Sequence, residues 1–458
     1  MQVIICGAGQ VGYGIAEYLA AEKNDVVVVD QSPHLVRKID ETLDVQGIVG
    51  SASTPDVLLQ AGAADCDLLI AVTHSDEVNM IACQVAHSLF NVPTKIARVR
   101  NQSYLQPRWA ALFGDEHLPI DVVISPEIEV ARSIERRLQT RGAFENIPLA
   151  DGKVRVVGVA INDNCPISHT PLRQLTSLFP NLAAEVIGIV RNDRLIVPTA
   201  DDQLLPGDQA YFAVEVSHLP RAMAAFGHEA ENASSVVILG GGHIGTFLAE
   251  DIDRRHKQMT VRVIEVDNRR ATYISQRLNR AIILLGDGLD LEILREAHVD
   301  RSEMFIAVSN ADETNILAAL QAKRLGSGTV VSLINNFGFA GLVSDLGIDA
   351  VVNPRVITIS TILQHVRRGK ISAVHSLRDG TAEILELEAL STAPVIGKQI
   401  KDLRFPSGVK IGVIVRGGTV LIPKPSTEIK IGDHVVLISV QGMVKKVEAM
   451  FSVKVEFF

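Results

Sequence analysis

VVILGGGHIGTFLAEDI, residues 236 to 252, reads as the opening of a domain placed in the middle of a chain. Residues 3 to 19, VIICGAGQVGYGIAEYL, carry the same pattern at the start. In each, a short β-branched run enters a glycine-rich turn, and the turn opens a helix-like stretch. Gly7, Gly9 and Gly12 in one and Gly240, Gly242 and Gly245 in the other have the GxGxxG spacing. In that spacing the first glycine makes the tight turn, the second leaves room for a diphosphate, and the third lets the helix pack closely on the strand. The second strand of each copy then ends in an acid, Asp30 or Glu265. An acid there holds ribose hydroxyls and repels a 2′-phosphate.

The duplication extends well beyond the turns. GSASTPDVLLQAGAADCDLLIAVTHSDEVN (50 to 79) aligns without a gap with GDGLDLEILREAHVDRSEMFIAVSNADETN (286 to 315), and IDVVISP is echoed by IDAVVNP. Strand-like and helix-like runs alternate throughout each copy, which predicts a doubly wound parallel sheet. A second repeat follows each copy: VRNDRLIVPTADDQLLPGDQAYF (190 to 212) and VRGGTVLIPKPSTEIKIGDHVVL (415 to 437). Its short alternating strands and tight turns predict a small β-rich lobe.

The expected order is therefore a Rossmann-like lobe (1–125), a connecting helix opened by proline (126–140), a β-rich α+β lobe (141–227) and a polar linker (228–235). The second half repeats it as 236–353, 354–369 and 370–458. The fold class is α/β, in tandem duplication.

Composition bounds the function. The chain of 458 residues is 47% hydrophobic, but its apolar residues fall in short Val and Ile runs, which suit buried parallel strands and not a membrane helix. Met1 leads directly into the first strand with no basic n-region, so no secretory signal is expected. Four scattered cysteines without a CxxC pair suit reduced thiols in the cytosol and make zinc unexpected. A net charge of −9 and 4% aromatic residues argue against nucleic-acid binding.

Further site candidates lie at strand ends. Thr73, His74 and Ser75 follow the fourth strand, at the edge where such folds bind ligands; Ser309 and Asn310 are their counterparts. Asp76 reads as the N-cap of the next helix in preference to a ligand contact, with Asn79 on its first turn. Arg98 and Arg100 alternate along KIARVR, placed either to clamp phosphate or to pair with surface acids; Leu333 and Asn335 take these positions in the second copy. Neither β lobe offers the acid or base and substrate anchor of a dehydrogenase, and His243, in the glycine turn, reads as a loop side chain. Paired nucleotide lobes without catalytic groups predict a sensor; the alternative is an NAD-dependent oxidoreductase with an unrecognised substrate lobe.

CGAGQVG with VVVVD, LGGGHIG with VIEVD, the twin AVTHSDEVN and AVSNADETN segments and the twin Gly-Asp hairpins together resemble the tandem RCK (KTN) family, the regulatory subunits of bacterial Trk potassium uptake systems. The resemblance spans residues 1 to 453. It implies a cytoplasmic protein, peripheral on the inner face of the cell inner membrane, that forms a ring, commonly a homotetramer, and gates a membrane potassium transporter of the TrkH or TrkG type. It also implies binding of NAD or NADH, with ATP or ADP as competing nucleotides. By analogy, Gly7, Ala8, Gly9, Gln10, Val11, Gly12, Asp30, Thr73, His74 and Arg98 hold the first nucleotide. Gly240, Gly241, Gly242, His243, Ile244, Gly245, Glu265 and Ser309 hold the second. Relatives often carry Asp after the glycine of the third strand; here Ser51 stands in the first copy and Asp287 in the second.

Overall fold

The computed structural model describes the chain except for residues 115, 139, 141, 180–181, 193, 229–233, 340–342, 344–345, 367–370, 378–380, 441 and 453–458. Most of the expected linker, one residue of the turn at 192–194 and the 369/370 boundary lie outside the described residues.

Four sheets follow one another along the sequence. The first comprises β1 (Gln2–Cys6), β2 (Asp25–Asp30), β3 (Gln46–Val49), β4 (Leu68–Ala71), β5 (Thr94–Arg98) and β6 (Val122–Ile124), in the order β3-β2-β1-β4-β5-β6. Every pair is parallel. The strand order reverses between β1 and β4, and that reversal opens a crevice at the carboxyl edge, where the glycine turn emerges. The central strands are buried on both faces, as their unbroken apolar sequences require.

The second sheet is antiparallel: β7 (Ala143–Leu149), β8 (Val154–Ala160), β9 (Ala184–Arg191), β10 (Arg194–Ile196) and β11 (Gln209–Glu215), in the order β10-β9-β11-β8-β7. The third sheet, β12 (Ser235–Leu239) through β17 (Ala350–Val352), repeats the order of the first. The fourth, β18 (Ile371–Leu377) to β22 (His434–Val440), is again antiparallel. Both β-rich lobes lock a hairpin with the same fork. Arg191 donates from Nε and Nη2 to Asp208 (2.8 and 2.7 Å), and Arg416 does the same to Asp433 at the same distances. The carboxylates are almost wholly buried, so the bidentate arginine offsets their desolvation.

By contacts the chain forms two compact units, and each borrows from the other half of the sequence. One contains residues 1–129 and 355–367. In it the helix Pro354–Val366 lays Ile362, Leu363 and Val366 into the core made by Ile5, Ile15, Val28 and Ile70. A Cβ on Gly14, in helix α1 (Gln10–Ala21), would stand 2.4 Å from Ile359 Cδ1, so a glycine there allows the close approach. The other unit contains 130–354 and 368–458. Here α5 (Pro126–Leu138) buries Val130, Ala131, Ile134 and Leu138, and its Glu135 meets His256 Nε2 at 2.8 Å, at the end of the helix His243–Arg255. The two connecting helices thus exchange Rossmann-like lobes.

Within this second unit the two β-rich sheets face each other. Ile187, Tyr211 and Ala213 pack against Ile384, Val413 and Ile438 in one core. Lys410 Nζ crosses to Val186 O and to Glu185, both at 2.7 Å. Among the described residues no helix is long and apolar enough to cross a membrane, and no group of His, Cys, Asp and Glu is placed to hold a metal.

Candidate nucleotide sites

At the first turn Gly7 adopts φ +114°, a backbone conformation that favours glycine, and it carries the chain from β1 into the helix start. A Cβ on Gly12 would fall 1.8 Å from Gly7 O, so the third glycine is a packing requirement. A Cβ on Gly9 meets nothing within 4 Å. Gly9 is the N-cap of α1, extended and without a side-chain cap, so the first-turn amides of Gln10, Val11 and Gly12 face that open space. The second turn repeats each feature: φ +101° at Gly240, a Cβ 1.9 Å from Gly240 O at Gly245, and open space at Gly242, which is the uncapped N-cap ahead of His243 and Ile244. His243 is exposed at the helix start.

The strand-end acids are built into the turns. Ala8 N donates to Asp30 Oδ2 (2.7 Å) and Ser32 N to Oδ1 (2.8 Å). Gly241 N donates to Glu265 Oε2 (2.7 Å) and Asp267 N to Oε1 (2.9 Å). Each carboxylate is thereby oriented toward its glycine loop, with lone pairs left for further donors. One residue at the second turn escaped the sequence reading. Arg270 donates from Nε to Gly241 O (2.7 Å) and lies 5.3 Å from the Tyr273 ring. Its counterpart in the first copy, counting from the acid, is Leu35. Nothing local to Arg270 signals the contact, because it spans a strand end and a helix.

Across the crevice, Thr73 is half-buried and His74 exposed. The structure corrects the reading of Asp76 as a cap: Ser75 is the N-cap of α4 (Asp76–Phe90), its Oγ accepting from Val78 N. Asp76 instead accepts from Arg100 N and Asn101 N, tying α4 to the end of β5. Asp312 does the same with Asn335 N and Asn336 N, which confirms the alignment of Asn335 with Arg100.

Asn79 is fully buried and acts as a clip, a role its place on the first turn did not reveal. Its Oδ1 accepts from Thr73 N (2.8 Å) and Thr73 Oγ1 (2.7 Å), and its Nδ2 donates to Thr73 O (3.2 Å) and Arg98 O (2.9 Å). Asn315 makes the same four bonds to Ser309 and Leu333.

The arginines of KIARVR divide. Arg100 donates from Nε to Glu127 Oε1 (2.8 Å), the acid-paired reading. Arg98 turns back over the crevice, where Nη2 donates to Thr73 O (2.7 Å) and Nε is buried with no partner among the described residues. Burial and the nearby Arg100 hold its guanidinium below its usual pKa. At the third strand end, Ser51 Oγ lies 2.9 Å from Ser53 Oγ, and the exposed Asp287 accepts from Leu289 N (2.9 Å).

Residues 3–126 and 236–354 match the TrkA-N domain, and 156–227 and 384–452 match the TrkA-C domain. The chain belongs to the TrkA family. The Trk system potassium uptake protein TrkA of Azorhizobium caulinodans is 48% identical over 458 residues, all of both chains. The TrkA of Halomonas elongata is 40% identical over 462 residues, again all of both. Among solved structures, the GsuK channel bound to NAD superposes with a TM-score of 0.62 at 20% identity, over 98% of this chain and 78% of that one. That likeness shows a shared fold with the RCK-bearing channel, as the TrkA-type tandem of parallel and antiparallel sheets leads one to expect.

Proposed function

We propose that this chain is the nucleotide-sensing regulatory subunit of a potassium uptake system, acting by binding and not by turnover. NAD or NADH is its nucleotide, with ATP or ADP competing. Its partner is a membrane potassium transporter of the TrkH or TrkG type, approached as a homotetramer from the cytoplasmic face of the inner membrane. The observation that carries the nucleotide part is the open space before Gly9 and Gly242, each bounded by an uncapped helix start and by an acid fixed to the loop amide. That shape and polarity fit a diphosphate and a ribose. The potassium part is supported by the names of the full-length relatives.

In this reading the amides of Gln10, Val11 and Gly12 receive the diphosphate, Asp30 accepts from the ribose hydroxyls with its unused lone pairs, and Arg98 supplies its orphaned Nε to an anionic oxygen. Such a pairing removes a buried unsatisfied donor, which costs about 1–3 kcal/mol when left unmade. Thr73, His74 and Ser51 line the rest of the first site. In the second, the amides of His243, Ile244 and Gly245 and the side chains of Glu265, Asp287 and Ser309 take those places, with Leu333 where Arg98 stands. A bound nucleotide then biases transport only as far as it binds one conformation better than another.

Calorimetric titration of NAD into the full chain tests the binding step. Gly9 has an extended backbone and open space, so Gly9→Ala is expected to melt like wild type yet bind NAD at least about tenfold more weakly, its methyl occupying the diphosphate position. Equal affinity in the two proteins would remove the first glycine loop from nucleotide binding.

A further inference from the structure

We propose a separate ligand site, away from both glycine loops, for a small molecule that joins an apolar body to one carboxylate or phosphate group. It is the cavity of about 330 Å³ in the second unit, where the end of α5, the first β-rich lobe and the end of the helix His243–Arg255 come together. Arg155, His256 and Asn146 form its polar wall, and Leu138, Leu219 and Met259 its apolar one. The volume is at the small end of the range for ligand pockets.

Arg155 is the binding group of this site. It lies on β8, and among the described residues it has neither a hydrogen bond nor an ion pair, although it is half-buried. Burial holds its guanidinium below the usual value, and Glu135 acts on it from a distance in the opposite sense. The Glu135 carboxylate is itself engaged by His256 Nε2 at 2.8 Å. A nearby arginine shows what this lobe provides when a guanidinium serves structure alone. Arg137 donates to Phe144 O, Ser133 O, Ser133 Oγ and both oxygens of Glu145. Arg155 is left with all five of its N–H donors, the arrangement that binds carboxylate or phosphate in a fork.

Asn146 supports the same assignment. Its Nδ2 is spent on Arg136 O (3.0 Å) and Thr140 Oγ1 (2.8 Å), while Oδ1 is buried with no partner among the described residues. The duplication supplies an internal control. Matching β7 to β18 and β8 to β19 (Ala382–Glu388) residue by residue places Val374 opposite Asn146 and Glu383 opposite Arg155. The second lobe repeats neither residue, so the proposed site belongs to the first lobe alone.

Phenyl phosphate and benzoate are the probes, titrated calorimetrically into the full chain in excess NAD, so that the glycine loops do not compete for them. Saturable binding is expected in wild type. Arg155→Gln should weaken it about tenfold or more, Arg155→Lys less, since a point charge replaces the fork. Leu219→Trp, which fills the cavity and leaves the cation intact, should abolish it; melting temperatures check that the variants fold. No saturable binding in wild type overturns the proposal, as does binding unchanged in both Arg155→Gln and Leu219→Trp.

Discussion

Gly9 and Gly12 are three residues apart and differ in what a methyl group would meet. At Gly12 it would lie 1.8 Å from a backbone oxygen; at Gly9 it would meet nothing within 4 Å. Gly12→Ala should therefore lower the melting temperature of the first lobe, at an overpacking cost of about 1–3 kcal/mol or more, whereas Gly9→Ala should leave it unchanged. Scanning calorimetry separates the two. Asn79→Ala and Asn315→Ala should each cost about 1–3 kcal/mol, because the half-buried amide of Thr73 or Ser309 loses its acceptor and three further bonds of the buried clip go with it. A loss below a few tenths in urea titration would mean that water replaces the clip. Sequence alone placed the glycines and acids, since turn, helix start and strand end are local. It misassigned Asp76 because Ser75 and Asp76 are both good caps, and the choice turns on the amides of Arg100 and Asn101, which approach only after β5 is in place. The cysteines were legible as thiols and not as core: all four are buried and free, and burial pushes Cys66 up to about 11 and Cys83 up to about 12. Native protein at pH 8 should resist alkylation by iodoacetamide at both, measured by mass spectrometry.

At the scale of elements, the connecting helices hold the most information that the sequence concealed. Both were legible as helices from proline at the first turn and the run behind it, and both appear, over Pro126–Leu138 and Pro354–Val366. Which lobe each would cover was not legible. The lobes are two copies of one unit with similar apolar faces, so periodicity identifies the buried stripe of a helix without naming its acceptor. The structure sets Ile362 and Leu363 beside Ile5 and Ile15, more than 340 residues away in sequence. Ile362→Ala or Leu363→Ala should destabilise the first parallel lobe by about 2–5 kcal/mol. Hydrogen exchange should then show protection lost in β1 and β4, and kept in β12 and β15 (Met304–Ala307) of the other unit. Protection lost first in β12 would contradict the exchange of helices.

For the molecule as a whole, duplication is both the clue and the limit. Repeats gave four sheets in the right order and class, because each sheet closes within a single repeat unit. They could not give the face-to-face packing of the two β-rich sheets or the cavity beside Arg155, which depend on partners from distant segments. In the proposed function, nucleotide at the first glycine loop controls potassium transport. Rubidium uptake by potassium-starved cells lacking this chain, restored with wild type or with Asp30→Ala, tests it most directly. Rescue is expected with wild type, and at least about tenfold slower uptake with a folded Asp30→Ala protein, which has lost the loop anchor and the proposed ribose acceptor. Equal rescue by both would contradict control at this site, and rescue by neither would contradict the transport role itself.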